Sequence, residues 1–356
     1  MVTKLIEEWH AWMLKEPMLL QGGIVMGCPL WGEDYTDYFI NYGLPSIVAP
    51  RNRMALENAD WQMVMFVDEQ AEARLADIVD SQHVMLVRLP EDILAGIRID
   101  PMYEYPLLAA VHNLLIHKAR DIGAGFNMMV ADCVYSEGYY ANLLRLAKEH
   151  EAIADTSLVL SADAAPLLRA YRQKDGSLSI PGWALGYLSV ERMARAWKTW
   201  SMDGITDFEQ MPCSHYVHVR SRDTVRVHCA HKNAAWMSNA RCQKVEPGLG
   251  GTIDSELPRY LAGSFYTPKI TDDMVGVGFA NDEGDGQVPL QAFADYKAEF
   301  WRFIGGKDER PRENHFLPYF TNPCEFPAPH DEQYPDGAEL DARFGRLMEK
   351  LYEGTA

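Results

Sequence analysis

The chain has 356 residues, of which 47% are hydrophobic and 24% charged, a composition that suits one large folded domain or two modest ones. Acidic residues outnumber basic ones by 51 to 33, and the formal charge of −18 argues against a nucleic-acid partner. Apolar stretches are of strand length and the first twenty residues are interrupted by charges, so neither a membrane span nor a secretory signal is expected.

Strand and helix patterns alternate along the first half of the chain. The strand patterns, in order, are Gly22–Met26, Trp61–Val67, His83–Leu89, Gly125–Ala131 and Ser157–Ala162. The helical patterns are Asp34–Tyr42, Ala71–Val79, Tyr105–Arg120, Gly138–His150 and Ala164–Arg172. Gly27–Glu33 is predicted to be a loop. This alternation predicts an α/β fold with a mostly parallel sheet flanked by helices, and ligands of such sheets bind at the carboxyl ends of the strands.

The pattern changes near residue 175. A helix is predicted over Trp183–Trp200, followed by short strands at His215–Val219 and Thr224–Cys229. Beyond a loop-rich stretch, residues 307–337 are rich in proline and predict an extended wrap over the surface. A final amphipathic helix is predicted over Glu339–Tyr352.

Six cysteines lie apart, without a C-x-x-C pair, and we expect reduced thiols and a cytoplasmic location. The charge is distributed unevenly. Residues 271–356 hold 18 acidic and 8 basic residues, whereas residues 181–250 hold 6 acidic and 9 basic ones. The positive stretch predicts either a local anion site or ordinary surface ion pairs.

Two acidic residues, Asp68 and Asp132, each follow an apolar strand directly. A carboxylate at the carboxyl edge of a sheet can hold a hard cation against phosphates, which makes Asp132 the main candidate. The alternative is a helix cap formed by Asp132 or by the nearby Ser136.

A histidine-rich segment lies in the positive stretch. Alternation along strand Thr224–Cys229 places Val225 and Val227 on one face and Arg226 and His228 on the other. Imidazoles at this strand and just beyond it, at His228 and His231, suit a divalent metal, a phosphate or proton transfer. Ordinary edge-strand histidines are the alternative.

Asp254 and Glu256 follow a Gly-Gly pair that lets the backbone approach a ligand closely. Either carboxylate could act as a base or hold an acceptor hydroxyl, and a turn-forming aspartate is the alternative. Other chemistries lack their motifs, because the sequence contains no P-loop, no G-x-S-x-G elbow and no H-E-x-x-H.

These segments together resemble a known family. A G-x-x-Y-x-x-x-F-like opening, Gly32 to Phe39, runs into LPSIVAPRN at Leu44–Asn52. A strand ending in an acidic pair follows, then a strand ending in VADCVYSEG, a histidine-bearing strand and GTIDSE. The combination resembles the nucleotide-diphospho-sugar transferases of the GT-A type, which are Rossmann-like glycosyltransferases, over roughly residues 20–270.

The resemblance implies a role for each candidate residue. Asp132 matches the acidic motif that holds a divalent metal, Mn²⁺ or Mg²⁺, and His228 or His231 would complete the metal shell. The second carboxylate of the family's D-x-D is absent, since the sequence is Asp132-Cys133-Val134; either Glu137 substitutes for it or the nucleotide binds without a metal. The resemblance assigns nucleotide-sugar binding to Pro45, Asn52, Asp68, Arg226 and Lys232. It leaves Asp254 and Glu256 as catalytic candidates.

The resulting prediction is a glycosyltransferase that moves a sugar from a UDP- or GDP-sugar to a glycan or another hydroxyl acceptor. Residues 1–180 would bind the nucleotide sugar, 181–270 would complete the acceptor and metal site, and 271–356 would form an acidic extension with a terminal helix that could mediate self-association. Two other classes stay open: a metal-dependent phosphoester hydrolase, and a non-catalytic carbohydrate- or nucleotide-binding module.

Overall fold

The computed structural model describes residues 2–79, 82–156, 158–193, 208–212, 216–229, 232–245, 265–268, 274–280, 290–305, 323–328 and 330–353. The strands in these ranges are β1 (Ile24–Leu30), β2 (Trp61–Val67), β3 (Val84–Arg88), β4 (Gly125–Met128), β5 (Cys133–Tyr135), β6 (Ala152–Thr156), β7 (Leu158–Ser161), β8 (Gln210–Pro212), β9 (Tyr216–Arg220), β10 (Thr224–Cys229), β11 (Lys232–Met237), β12 (Gly276–Ala280), β13 (Leu290–Ala292) and β14 (Cys324–Pro327).

The α-helices are α1 (Val2–Lys15), α2 (Glu33–Tyr38), α3 (Leu44–Ile47), α4 (Pro50–Glu57), α5 (Glu69–Leu75), α6 (Glu91–Ile99), α7 (Glu104–Asp121), α8 (Tyr139–Leu146), α9 (Gly182–Glu191), α10 (Asn239–Cys242), α11 (Phe293–Gly305) and α12 (Gly337–Tyr352). A π-helical turn, Phe39–Gly43, joins α2 to α3, and 3₁₀ segments lie at Pro101–Tyr103 and Ala162–Tyr171.

A central sheet of six strands organises the fold, in the order β3-β2-β1-β4-β11-β6. The strands β1 to β4 are parallel to their neighbours among themselves, whereas β11 runs antiparallel to both β4 and β6. The predicted α/β class with helices flanking a central sheet is therefore confirmed, and the sheet is mixed.

Helices cover both faces of this sheet because both faces of its inner strands are apolar. On one face, Val64 and Phe66 of β2 belong to the same core as Trp9 of α1 and Leu114 of α7. On the other face, Met63 and Met65 pack with residues of α4, α5 and α8. Strands buried on both sides read as continuous apolar runs, and β2 was predicted with its observed bounds for this reason.

Gly27 lies inside β1, where the sequence predicted a loop. A Cβ at this position would lie 2.6 Å from Leu115 Cδ1 and 2.9 Å from Phe126 Cε2. The glycine therefore marks close packing of α7 and β4 against the strand rather than a turn. With Cys28 and Leu30 fully buried, the strand continues four residues beyond the predicted end at Met26, to Leu30.

Other predictions also differ from the structure, among them the helix over Ala164–Arg172, which is a 3₁₀ segment over Ala162–Tyr171. The predicted strand Gly125–Ala131 ends at Met128, and β5 then joins a second sheet, in the order β5-β12-β7. The predicted helix Trp183–Trp200 ends at Glu191, and Met193 forms a bridge with Leu160 instead. The rest of that predicted helix lies outside the described residues.

The later part of the chain builds a third sheet, in the order β14-β10-β9, and a separate apolar cluster. The predicted terminal helix is present as α12, and its Leu347 and Leu351 pack with Tyr296 and Phe300 of α11. In the described ranges, no helix has the length and the apolar character needed to cross a bilayer.

Candidate functional site

The strand order places a natural binding crevice next to β1. The chain moves outward from β1 to β2 and β3, then returns to the other side of β1 as β4. Crossovers leave in opposite directions at such a switch point, which opens a crevice at the carboxyl ends of the two strands. In this structure the crevice lies beyond Leu30 and Met128.

A pocket of about 190 Å³ occupies this crevice. It is lined by Pro29, Trp31, Tyr35, Glu104, Leu108, Val130, Ala131 and Asp132. Four structural elements converge there: the end of β1 with the turn that follows it, α2, the start of α7 and the segment that joins β4 to β5. Of the predicted site residues, Asp132 is among those that line it.

The two carboxyl groups of the pocket, Asp132 and Glu104, both have a raised pKa. Burial raises the pKa of Asp132 to about 6, with a smaller opposing effect from a backbone hydrogen bond. Burial also raises the pKa of Glu104. Desolvation without a compensating cation disfavours the charged form, so each carboxylate is held ready to accept a proton or a positive group.

Two aromatic side chains complete the pocket. Burial first, and then the negative charges of Asp132 and Glu104, raise the pKa of Tyr35 to about 12, so that its phenol keeps its proton and stays a donor. Trp31 is 9% exposed, and its indole N–H has no hydrogen-bond partner among the described residues. The pocket lining therefore contains the Tyr35 phenol as a donor and two carboxyl groups as acceptors.

His112 forms a hydrogen bond to the backbone that precedes Asp132. This fully buried ring donates from Nε2 to the Met129 carbonyl oxygen at 3.3 Å, and burial lowers the pKa of His112 to about 4. The ring is therefore neutral at physiological pH. Farther along, the Asp132 carbonyl oxygen accepts from the Phe279 amide at 3.1 Å, which ties the segment to β12.

Asp68, the other strand-end carboxylate, has a structural role. Its Oδ1 accepts from the Ala71 amide at 2.7 Å and caps α5. Its Oδ2 accepts from the Gly32 amide at 2.8 Å and so joins the ends of β1 and β2. The helix cap that the sequence offered as an alternative for Asp132 or Ser136 is not formed, because α8 begins after Gly138 without a side-chain cap.

Asn52 and Pro45 lie inside the protein rather than in the pocket. The fully buried Asn52 donates from Nδ2 to the carbonyl oxygens of Ser46 and Ser136, both at 2.9 Å, and accepts from the Tyr140 amide at 3.0 Å. Pro45 is buried in α3, and its carbonyl oxygen accepts from the Leu178 amide. These contacts fasten the LPSIVAPRN segment to the β5–α8 connection.

Glu137, the predicted substitute for the missing carboxylate, is also used structurally. Its Oε1 accepts from the Arg51 amide at 2.8 Å, in the first turn of α4. A carboxylate at a helix N-terminus satisfies free amides and interacts favourably with the helix dipole. The structure therefore does not place Glu137 beside Asp132 as a second ligand.

The basic residue predicted to hold the diphosphate, Arg226, binds the C-terminal extension. Its Nε lies 2.8 Å from Glu325 of β14, and its Nη1 pairs with Asp341 of α12. On the same face, His228 is 5% exposed and stacks on Phe344 with ring centroids 3.7 Å apart. The predicted alternation along β10 is confirmed, because Val225 and Val227 are buried in a third core cluster that includes Leu158 and Val277.

The neighbouring Arg220 also has a carboxylate partner. Arg220 pairs with Glu191 at 2.8 Å and lies over the Tyr334 ring at 4.2 Å. The acidic tail thus supplies both carboxylate partners of Arg226, whereas the carboxylate partner of Arg220 comes from α9. Of the other predicted residues, Lys232 begins β11, whereas His231, Asp254 and Glu256 lie outside the described residues.

The described residues do not form the predicted metal site. Asp132 faces the pocket with Glu104, whereas His228 is held under Phe344 and is absent from the pocket lining. In the described parts of the chain, no group of three or more His, Cys, Asp or Glu side chains is arranged to hold a metal ion. The described residues therefore do not supply a complete set of protein ligands for a metal ion.

Comparison with protein-family models gives no match for this chain, and comparison with curated proteins gives no similar sequence.

Sequence reasoning missed Glu104, Trp31 and Tyr35 as pocket residues. Tyr35 lies inside the motif from Gly32 to Phe39, but its neighbours in the pocket come from distant parts of the chain. Glu104 occupies the first turn of α7, where an acidic residue is expected for the helix dipole alone.

Proposed function

We propose that this protein is a glycosyltransferase that moves a sugar from a nucleotide-diphosphate donor to a hydroxyl acceptor, with the reaction centred on the switch-point pocket. The observation that carries the proposal is the position of Asp132: a carboxyl group with a pKa of about 6, in a small pocket at the carboxyl ends of β1 and β4. Such positions in α/β sheets are where nucleotides and their relatives bind.

The strand order supports a nucleotide-binding fold. The order β3-β2-β1-β4 is that of the first four strands of doubly wound dinucleotide-binding sheets, and the pocket lies at the switch point between β1 and β4. The reversed strand β11 distinguishes this sheet from a fully parallel one. We propose on this basis, together with the sequence motifs, that the fold is of the GT-A type.

The pKa of Asp132 suits a general base. At pH 7 a carboxyl group with a pKa of about 6 is mostly ionised, yet it is a stronger base than an exposed aspartate. The acceptor oxygen would form a bond to the anomeric carbon while the bond to the diphosphate oxygen breaks. The diphosphate leaves with the bonding electron pair, and Asp132 takes the acceptor's proton.

The test is a panel of nucleotide sugars with simple hydroxyl acceptors, measured as release of nucleoside diphosphate and as a shift in melting temperature, with and without Mn²⁺. We expect one donor to stabilise the protein and to be consumed. Asp132→Asn should abolish consumption, whereas the exposed Glu7→Gln, which also removes one negative charge, should not.

The other outcomes separate the alternatives. Turnover of a generic phosphoester without any sugar nucleotide would contradict the transferase and favour a hydrolase. Stabilisation by a nucleotide or sugar with no turnover under any condition would favour a binding module. Absence of both stabilisation and turnover across the donor panel would overturn the proposal.

A further inference from the structure

We infer that the switch-point pocket is a subsite for a single six-membered hydroxylated ring that carries a protonated amine. The chemical identity of this ring rests on the pocket alone, and its role as the sugar or acceptor in transfer rests on the proposed function. The occupant inferred here is a cation, in contrast to the diphosphate expected elsewhere in the site.

The size of the pocket sets the first limit. A cavity of about 150 Å³ accommodates a benzene molecule. The pocket has about 190 Å³, which admits one six-membered ring with substituents but not a complete nucleotide sugar. The remainder of a donor would have to lie outside this space.

The charge of the lining sets the second limit. Asp132 and Glu104 are the charged residues among those that line the pocket, and both are acidic. In a desolvated space their charges would repel a phosphate and attract a cation, because Coulomb interactions are stronger there than in water. A protonated amine supplies that positive charge together with hydrogen-bond donors, and charge-assisted hydrogen bonds are roughly twice as strong as neutral ones.

Tyr35 provides a further observation. Burial and then the charges of Asp132 and Glu104 raise the pKa of Tyr35 to about 12, so its phenol lies near both carboxyl groups and keeps its proton. A ring hydroxyl can accept a hydrogen bond from this phenol while its own proton is donated to a carboxylate. Trp31 and Tyr35 both line the pocket, and aromatic faces suit a ring or an ammonium group.

Other titratable groups near Asp132 stay neutral over the pH range of interest. Cys28 of β1, Cys133 of β5, and Tyr35 and Tyr38 of α2 all interact with its charge, and burial raises the pKa of each. Among the lining residues, Glu104 adds a second carboxyl group, and burial raises its pKa as well. Any change in ligand affinity between pH 5 and 8 would therefore report on the two carboxyl groups.

The experiment compares trans-4-aminocyclohexanol with trans-1,4-cyclohexanediol by calorimetry or ligand-observed NMR on the full chain. The amine stays protonated from pH 5 to 8, so a pH effect belongs to the protein. At pH 8 we expect the amine to bind about tenfold more tightly than the diol. At pH 5, below the pKa of about 6 for Asp132, this preference should fall several-fold.

Two variants sharpen the result. Asp132→Asn should reduce the preference at pH 8 and remove most of its pH dependence, whereas Glu7→Gln should leave both unchanged. Equal affinity for amine and diol at pH 8, or a preference that survives Asp132→Asn, would overturn the inference. Saturable Mn²⁺ binding that is lost in Asp132→Asn and competes with the amine would assign the carboxylates to a metal and would also overturn it.

The two proposals can fail separately. Amine preference without transfer from any donor would support the subsite and contradict the glycosyltransferase. Transfer from a donor without amine preference would support the glycosyltransferase and contradict this subsite.

Discussion

The carboxyl edge of the central sheet and the basic strand β10 differ in how their charges are satisfied. At the sheet edge, Asp132 and Glu104 face a pocket whose lining supplies no cation. At β10, Arg226 has two carboxylate partners, Glu325 and Asp341. A charged group without a partner of opposite charge can form an ion pair with a ligand, whereas a group that is already paired gains much less from a ligand. The local net charge of the sequence predicted a ligand site at β10. The ion pairs in the structure favour the pocket of Asp132 and Glu104 instead.

The largest expected effect on stability lies in the sheet. A Cβ on Gly125 of β4 would lie 2.0 Å from Trp236 Cη2 of β11, so Gly125→Ala must displace the indole ring. We expect a loss of about 1–3 kcal/mol in the free energy of unfolding, measured by urea denaturation. Gly337→Ala, at the start of α12 with no atom within 4 Å of the added Cβ, is the control and should change stability little. Equal effects would contradict the described packing of β4 against β11.

Asp68 and Asp132 were both predicted to be strand-end carboxylates; Asp68 follows β2 directly, whereas Asp132 lies four residues beyond β4, and their variants should behave differently. Asp68→Ala removes the cap of α5 and the bond to the Gly32 amide, so we expect a loss of about 1–2 kcal/mol in stability. Transfer activity should stay near that of the wild type when it is assayed well below the melting temperature. A large loss of kcat in a folded Asp68→Ala protein would show that Asp68 contributes to the functional site.

A pH series gives a signature of Asp132 that needs no substrate. Its pKa in the folded protein, about 6, exceeds the ordinary value of 3.8, so the unfolded chain loses this proton first as pH rises. Stability therefore falls between about pH 4 and 6, and the penalty persists above pH 6. Asp132→Asn should be more stable than the wild type by about 1 kcal/mol at pH 7.5, allowing for the open side of the pocket, with no gain at pH 4.

Both proteins in that series share the opposing effect of His10 and His112. Burial lowers the pKa of each, so each reduces stability as pH falls below about 6.5. The difference between the two unfolding curves therefore isolates Asp132. A gain that is the same at pH 4 and 7.5 would show that this carboxyl group has an ordinary pKa.

The smallest expected effect belongs to the contact between β10 and the tail. Arg226 and Asp341 are partly exposed, and such pairs contribute about 0.2–1 kcal/mol. A double-mutant cycle with Arg226→Ala and Asp341→Asn should give a coupling energy in this range that decreases in high salt. A coupling energy near zero at low salt would mean that the tail does not neutralise this arginine.

Sequence periodicity predicted the bounds of those elements whose buried positions can be read from their own residues. The bounds of β2 and β10 were predicted as observed, and those of α7 to within one residue at each end. In each of these elements the apolar residues mark either one buried face or burial on all sides, and both patterns are visible in the local sequence. Gly27 was misread because a glycine chosen for contact with Leu115 and Phe126 looks the same in sequence as one chosen for a turn.

The candidate site could be predicted only in part. Asp132 was identified from its place after a strand, which is a local feature. Glu104 and Trp31 could not be found in this way, because their approach to Asp132 depends on the crossover from β3 through α7 to β4. Arg226 looked available because its partners, Glu325 and Asp341, come from a distant tail whose docking no local pattern indicates.

We propose that the pocket of Asp132, and not the basic strand β10, is where the chemistry takes place. This proposal is tested by measuring nucleoside-diphosphate release from the active donor in the wild type, Asp132→Asn and Arg226→Ala, each confirmed as folded. We expect a loss of at least about 100-fold in kcat for Asp132→Asn, because a general base is removed, and a change within about twofold for Arg226→Ala. A large loss in Arg226→Ala with near-normal turnover in Asp132→Asn would contradict it.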